Sequence, residues 1–373
     1  RLVFQDKLAD SVSTAAWSSL LGGLFFIQVD VKQGVDVATV EKALDEELAR
    51  LLAEGPTASE LEQARTVYKA GFVRGIERIG GFGGKADALA ECAVYTGDPG
   101  CFRGSLDVIE SATAADVTAA GKKWLSRGDH TIVITPGERV ATVEEESKTH
   151  PDMAPVPGAD PKYTTVATDV DRSQGVPQTT QFPALSFPEL QRATLSNGIK
   201  VILAERNVIP VVTMSLELPG GYVADVGRKL GTASFTLGML DEGSGKLDAL
   251  GFADRAEALG ANLGAGAALD GGNAYLSALK ENLDPSVALF AQMLTQPTFD
   301  TKEIECVRAS WISGIKQEKA RPNSAAQRLL PPLIYFAFEN SERALRDWLE
   351  SDLDSDVQLI ETINAGEFLD SHA

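Results

Sequence analysis

The chain has 373 residues, 44% of them hydrophobic, and a formal net charge of −19. This length allows two or three domains with sizeable cores, and the composition argues against general disorder. The acidic balance argues against a nucleic-acid partner, because phosphate contacts need clustered Lys and Arg. No apolar run approaches the roughly 20 residues that a transmembrane helix needs, so we expect no membrane partner.

Residues 1–137 have the pattern of one α+β domain. The chain lacks an initiator Met and opens with RLVFQDKLADSV, a stretch that resembles the middle of a helix. The segment GGLFFIQVDV at 22–31 predicts a half-buried strand. A helix is predicted after it from a stripe of leucines at helical spacing, namely Leu44, Leu48, Leu51 and Leu52.

Two helix starts in this domain have the spacing of a capping box. Thr57 and Glu60 follow Gly55-Pro56, and Thr113 is followed by Asp116. In this arrangement the Thr side chain and the acidic side chain three residues later satisfy each other's backbone N–H groups. The segment HTIVITPG at 130–137 then predicts a closing strand and turn.

The chain changes character after residue 137. Residues 138–190 are rich in Pro, Thr and Asp without periodicity, which predicts an extended linker. The run Glu144 to Glu146 at its start is expected to be solvated. At the other end of the chain, residues 341–373 form an acidic tail with an amphipathic pattern.

Residues 191–340 predict a second α+β domain. The segment ATLSNGIKVILAER at 193–206 predicts a hairpin with Asn197-Gly198 at its turn. Further strands are expected at VVTMSLELPGG and on both sides of Asp270, with helices between and after them. The helix–Pro-Thr–helix pattern ending near residue 308 echoes residues 43–65, and Asp300 and Glu303 repeat the cap spacing. An internal duplication or a generic helix–turn–helix explains that echo.

The chain has three cysteines. Cys92 and Cys101 flank a Gly-Asp-Pro-Gly turn and can pair in an oxidising compartment, or they remain two free thiols. Cys306 lies in a helical pattern and is expected in the core.

The residues by themselves predict no catalytic centre. The histidines, which are His130, His150 and His372, have no second histidine four positions away, as a helical zinc site requires. There is no G-x-S-x-G nucleophile motif. GGFGGK at 80–85 and DEGSGK at 241–246 do not complete a phosphate-binding loop and are interpreted as helix breaks.

The order of the pieces in the second domain resembles the M16 zinc metallopeptidases, the insulinase, pitrilysin and processing-peptidase family. The hairpin and strand at 195–225 are followed by GTASFTLGMLDEGS and then by the segment 258–300. Residues 1–137 resemble the closing domain of a preceding half, through GPTASELEQAR and TAADV. The resemblance implies tandem M16-like α/β-roll domains with an antiparallel-rich sheet and helices on one face.

In active halves of that family, a helix matching 231–240 has the motif His-x-x-Glu-His, in which two His bind zinc and Glu is the general base. The corresponding positions here are Ser234, Leu237 and Gly238. A further Glu ligand is expected near 310–316, where SWISGIK contains no carboxylate. The resemblance therefore implies no catalytic or metal-binding residue in this chain, with zinc only in a domain upstream of Arg1. Gly238 in a helix suggests close packing at that position.

These observations favour a fragment that spans the end of an active M16 half and the start of an inactive half. Such a fragment would contribute chamber and substrate-binding structure to peptide hydrolysis, with an active half and a peptide as its partners. An edge strand near 262–280 would line the chamber. The alternatives are a non-enzymatic partner subunit and an unrelated α+β binding protein. The resemblance also implies a periplasmic or secreted location.

Overall fold

The computed structural model describes residues 1–19, 21–135, 137, 173, 175, 184, 186–225 and 228–327. Contacts divide the chain into two compact units. The first combines Arg1–Ser126 with the chain from Asn207 onward, and the second is Arg127–Arg206. The fold is α+β, as predicted, and the strands pair antiparallel.

The first unit begins with a two-stranded hairpin, followed by five helices. The opening residues form turns and a strand rather than the predicted helix, because they pair with the next strand along the chain. The elements are β1 (Ala9–Ser18), β2 (Gly23–Val31), α1 (Val37–Glu54), α2 (Ala58–Gly75), α3 (Lys85–Thr96), α4 (Phe102–Ser111) and α5 (Ala114–Trp124).

A small core lies where the hairpin meets α1. Leu2 and Ala9 pack there with Val40 and Ala43, the buried residues of α1. The predicted leucine stripe meets this core only partly, since Leu44 packs against it while Leu51 is 36% exposed.

Both predicted capping boxes are confirmed. The Thr57 hydroxyl accepts from the Glu60 N–H at 3.2 Å, and the Glu60 carboxylate accepts from the Thr57 N–H at 2.7 Å. Thr113 and Asp116 make the same reciprocal pair at the start of α5. Each box satisfies backbone donors that a helix start leaves unpaired.

The same unit continues after Asn207, and as far as residue 327 it contains a three-stranded sheet, a short two-stranded sheet and four α-helices. The elements are β5 (Val211–Pro219), α6 (Thr232–Gly238), β6 (Gly243–Ser244), β7 (Leu247–Asp248), α7 (Ala249–Ala258), β8 (Asn262–Ala267), β9 (Gly271–Leu279), α8 (Leu283–Thr295) and α9 (Thr301–Ala320). The strand order in the three-stranded sheet is β5-β9-β8, so β9 is central. A short 3-10 turn, Tyr222–Asp225, precedes α6.

The main core lies on one face of this sheet. Ala274, Leu276 and Ala278 alternate along β9, are fully buried, and pack with residues of α7 and α8 such as Phe252 and Phe290. This period of two is what a strand with one buried face requires. Helices therefore cover this face of the antiparallel sheet.

The second unit contains a hairpin of β3 (Leu190–Thr194) and β4 (Lys200–Ala204). Its turn includes Asn197-Gly198, as predicted, and the Asn197 side chain accepts from the Ile199 N–H at 3.2 Å. The strand predicted at 130–137 is wrong, because residues 131–135 form no strand pairing. Ile132 and Ile134 are 75% and 91% exposed there. An apolar run needs a neighbouring strand to become part of a sheet.

Several expectations fall on residues that the structure does not describe. Most of the predicted linker 138–190, including Glu144 to Glu146, and the whole tail 341–373 lie outside the described residues. The predicted domain boundaries at 137, 190 and 340 stay a prediction, as does the internal duplication. Within the described part of the chain, no helix combines the length and apolarity that crossing a bilayer requires.

Candidate functional site: the α6–α9 region

Helix α6 contains the three positions that the resemblance aligns with the zinc motif of active M16 halves. Its start is fixed by Asp225, a residue only 6% exposed. The Asp225 carboxylate accepts from the Ala233 N–H at 3.2 Å, which satisfies a first-turn donor that the helix itself leaves unpaired. The helix is therefore anchored by a buried hydrogen bond as well as by its packing.

Ser234, Leu237 and Gly238 are all partly buried. Their spacing of three and four residues places them on one side of α6. Leu237 packs against the main core, and its Cδ1 lies 2.6 Å from where a Cβ on Gly272 would be. A hydroxyl, an isobutyl group and a hydrogen do not supply the imidazole ligands of a zinc site, so these residues do not fit a zinc ion.

The expected close packing at Gly238 is wrong. A Cβ placed on Gly238 would have no other heavy atom within 4 Å, apart from its chain neighbours and the backbone of its own helix. There is thus open space beside α6 at Gly238, one of the positions that the resemblance aligns with a ligand.

The segment 310–316, near which the resemblance places the last ligand, belongs to α9. The Trp311 ring meets the Phe235 ring edge-on, with centroids 5.4 Å apart and planes 79° apart. Phe235, Met239 and Ile304 are fully buried in the same cluster. An apolar contact therefore joins the two helices on which the resemblance places the ligand positions.

Two half-buried carboxyl groups follow α6. Burial raises the pKa of Asp241. Burial, with the nearby charges of Asp241 and Glu303, raises the pKa of Glu242 to about 6. Both pKa shifts indicate that the ionised carboxylates of Asp241 and Glu242 are poorly solvated in the folded protein. Across the described ranges, no group of three or more His, Cys, Asp or Glu side chains is arranged to hold a metal ion.

His130 is exposed and belongs to the second unit. His150 and His372 lie outside the described residues.

The cysteines differ from one another in environment. Cys92 and Cys101 form a disulfide between α3 and the start of α4, which decides between the two alternatives left open by the sequence. Cys306 is a free, exposed thiol, so its expected core position is wrong. The buried positions of α9 around it are Ile304 and Arg308, and Cys306 lies halfway between them on another side of the helix.

Helix α2 contacts the part of the first unit that begins at Asn207. Sequence reasoning missed this contact. The Arg74 guanidinium donates to the Ser277 hydroxyl at 3.0 Å, to the Ser277 carbonyl at 2.9 Å and to the Gly260 carbonyl. Burial lowers the pKa of Arg74. Lys69 and Glu281 add an ion pair at 3.0 Å. No local pattern identifies such a contact, because its partners are about 200 residues apart in the chain.

In the three-stranded sheet that the described strands form, β5 and β8 are the edge strands and β9 is the central strand. The expected edge near 262–280 is therefore β8 alone, with β9 paired on both sides.

The α+β fold, with antiparallel strands and helices on one face of the sheet, is the fold that the resemblance to M16 metallopeptidases predicts. The family model of the Peptidase M16 inactive domain matches residues 1–68, and the model of Insulinase (Peptidase family M16) matches residues 200–343. The chain belongs to peptidase family M16.

The chain is similar to individual M16 proteins over part of its length. It is 26% identical over 140 residues to the Non-peptidase homolog YmxG of Helicobacter pylori, covering 38% of this chain and 32% of that protein. The chain thus spans about a third of the length of this curated relative.

Solved structures give a similar result. A peptidase M16 inactive domain from Pseudomonas fluorescens is 29% identical, with a TM-score of 0.36, covering 39% of this chain and 35% of that one. The periplasmic protease PqqL from Escherichia coli is 15% identical, with a TM-score of 0.39, covering 98% of this chain and 40% of that one. Both TM-scores are below 0.5, and the family membership rests on the two family models.

Proposed function

We propose that this chain supplies non-catalytic chamber structure for peptide hydrolysis carried out by a separate M16 domain with the His-x-x-Glu-His motif. The observation behind this proposal is the substitution of the motif by Ser234, Leu237 and Gly238, next to the Phe235–Trp311 contact. Zinc sites in proteins use imidazole, thiolate or carboxylate ligands, and a general base needs a titratable group within reach of the attacking water. These three side chains provide neither.

The chain's surface supports a role beside a peptide. Strand β8 is an edge among the described strands, and its outer backbone groups are suited to pairing with an extended peptide. The net charge of −19 favours encounter with basic peptides.

A second function, that of a non-enzymatic partner subunit or scaffold, is supported by the similarity to a protein named as a non-peptidase homolog. The family membership removes the third alternative, an unrelated α+β binding protein. We also propose a periplasmic or secreted location, which agrees with the Cys92–Cys101 disulfide, because oxidising compartments preserve such bonds.

The proposal is tested with the purified chain alone and in complex with an M16 domain carrying the motif. The chain alone is expected to bind less than one zinc per molecule and to leave peptides uncut. Addition of the chain is expected to raise the rate of the active domain towards basic peptides. One zinc per chain, together with chelator-sensitive cleavage by the chain alone, would contradict the proposal.

The DNA that encodes the chain separates the two functions. A His-x-x-Glu-His coding pattern in frame upstream of Arg1 supports the chamber role within one polypeptide. A natural start codon close to Arg1 supports the partner subunit.

A further inference from the structure

The face of the three-stranded sheet opposite the main core has a group of polar side chains. Ser215 and Glu217 of β5 lie opposite Tyr275 and Asn273 of β9, respectively. Side chains two residues apart in a strand share one face, and Ala274, between the two β9 residues, belongs to the buried core. The four side chains therefore lie together on the outer face, where Ser215, Glu217 and Tyr275 are exposed.

Three of these side chains are hydrogen-bonded to one another. The Asn273 amide nitrogen donates to the Ser215 hydroxyl at 2.5 Å and to Oε1 of Glu217 at 3.0 Å. The Ser215 hydroxyl donates its own hydrogen to the same Oε1 at 3.0 Å. These bonds orient the Glu217 carboxylate on the sheet face.

The donors of this trio are all used, whereas acceptors remain. An Asn amide has two hydrogens and a Ser hydroxyl has one, and each of them is given to another member of the trio. The oxygens left over are Oε2 of Glu217 and Oδ1 of Asn273. No ion pair among the described residues involves Glu217. The trio is therefore a surface of acceptors with one uncompensated negative charge.

Tyr275 adds an aromatic surface beside the trio. Its side chain is 40% exposed and is paired across the strands with Gly264 of β8. A Cβ on Gly264 would lie 3.1 Å from the Tyr275 hydroxyl and 3.3 Å from its Cζ, so the ring lies over this glycine, where a side chain would displace it. Tyr275 and Glu217 are diagonal neighbours, which are about 7–8 Å apart in antiparallel strands. A group bound to the carboxylate can therefore contact the ring as well.

We propose that Glu217, Asn273 and Tyr275 bind the cationic side chain of an arginine or lysine in a basic peptide. Both of these side chains are donors without acceptors, so they match a surface on which only acceptors remain. A cation placed against the carboxylate is also attracted by the face of the Tyr275 ring. A Ca²⁺ ion would need about six to eight oxygen ligands, more than one carboxylate and one amide oxygen supply.

This inference rests on the proposed function, since it names the part of a basic peptide that the chain would hold for the active domain. The binding itself needs only the chain, because every residue of the site belongs to one sheet. Binding and assistance to the active domain are therefore measured separately.

The test is an NMR titration of the full chain with a short peptide, blocked at both ends, that has one arginine among glycines and serines. The Asn273 side-chain amide resonances are expected to shift in a saturable way. The same peptide with citrulline, which has the shape of arginine without its charge, should bind about threefold more weakly or worse. Added salt should weaken binding of the arginine peptide, because the site is exposed.

Variants separate this site from the general acidity of the surface. Glu217→Gln keeps the size of the side chain and should weaken binding of the arginine peptide about threefold or more. Glu110→Gln, at an exposed position on α4, is the matched control and should leave the affinity unchanged. Tyr275→Leu should weaken binding about two- to fivefold, whereas Tyr275→Phe keeps the ring and should not.

Equal affinity for the arginine and citrulline peptides, or equal effects of Glu217→Gln and Glu110→Gln, would overturn the inference. The proposed function is judged by the rate of the active domain with the chain added. If the arginine peptide does not bind at this site while the chain still raises that rate, the site is wrong and the proposed function stands. If the peptide binds there and the rate is unchanged, the site stands and the proposed function is contradicted.

Discussion

Replacing Glu242 by Gln should change the pH dependence of stability. Burial and the charges of Asp241 and Glu303 raise the pKa of Glu242 from 4.5 to about 6. A carboxyl group whose pKa is higher in the folded protein contributes stability that is fully present below pH 4.5. That contribution is lost as the pH rises through about 6, because the unfolded chain releases the proton first.

The magnitude follows from the size of the shift. A rise from 4.5 to about 6 corresponds to about 2 kcal/mol, at about 1.4 kcal/mol for each pH unit. Glu242 is only half-buried, so solvent screening reduces the expected effect to about 1 kcal/mol. Glu242→Gln should therefore match the wild type near pH 4 and exceed it by about 1 kcal/mol at pH 7 and above.

Urea unfolding of both proteins at intervals from pH 4 to pH 8 measures this difference. Glu110→Gln, at an exposed position on α4, is the control and should show a constant difference from the wild type. The reasoning is refuted if the Glu242→Gln and wild-type stabilities differ by the same amount at pH 4 and pH 7.

Three further predictions use denaturant unfolding at pH 7. Gly260→Ala should destabilise the protein by about 1–3 kcal/mol, because φ is +59° and the new Cβ would lie 3.0 Å from Ala70 Cβ. The matched variant Gly238→Ala has open space for its Cβ and should stabilise the protein by up to about 1 kcal/mol. If both variants change the free energy of unfolding in the same direction, the packing described at these two glycines is contradicted. Phe235→Ala should cost about 3–5 kcal/mol because the ring is fully buried against Trp311, and a loss below 1 kcal/mol would mean the cluster is not formed. Changing both Cys92 and Cys101 to Ser should cost about 2–3 kcal/mol under oxidising conditions, and no difference from the wild type there would show that the two thiols do not pair.

Local signals in the sequence predicted much of the fold. The capping boxes at Thr57 and Thr113 and the turn at Asn197-Gly198 formed as predicted. Each depends on groups within a few residues of one another, so the chain's local chemistry is sufficient to specify it. The alternation along β9 likewise follows from a strand with one buried face.

The residues at the positions aligned with the zinc motif are read from the sequence, but only the structure shows what surrounds them. The sequence suggested dense packing at Gly238, and the structure has open space there instead. It placed Cys306 in the core, whereas α9 turns that thiol to solvent. The apolar run at 130–137 predicted a strand, and residues 131–135 have no strand partner.

Tertiary structure decided which distant groups meet. Arg74 and Ser277 are far apart in the chain, yet their side chains are hydrogen-bonded across two elements. Arg308 has no distinguishing pattern around it, yet it is buried, and two of its guanidinium nitrogens have no acceptor among the described residues. Periodicity identifies which face of an element is apolar. Only packing fixes which other face it meets, and therefore which polar groups lose water and which find a partner.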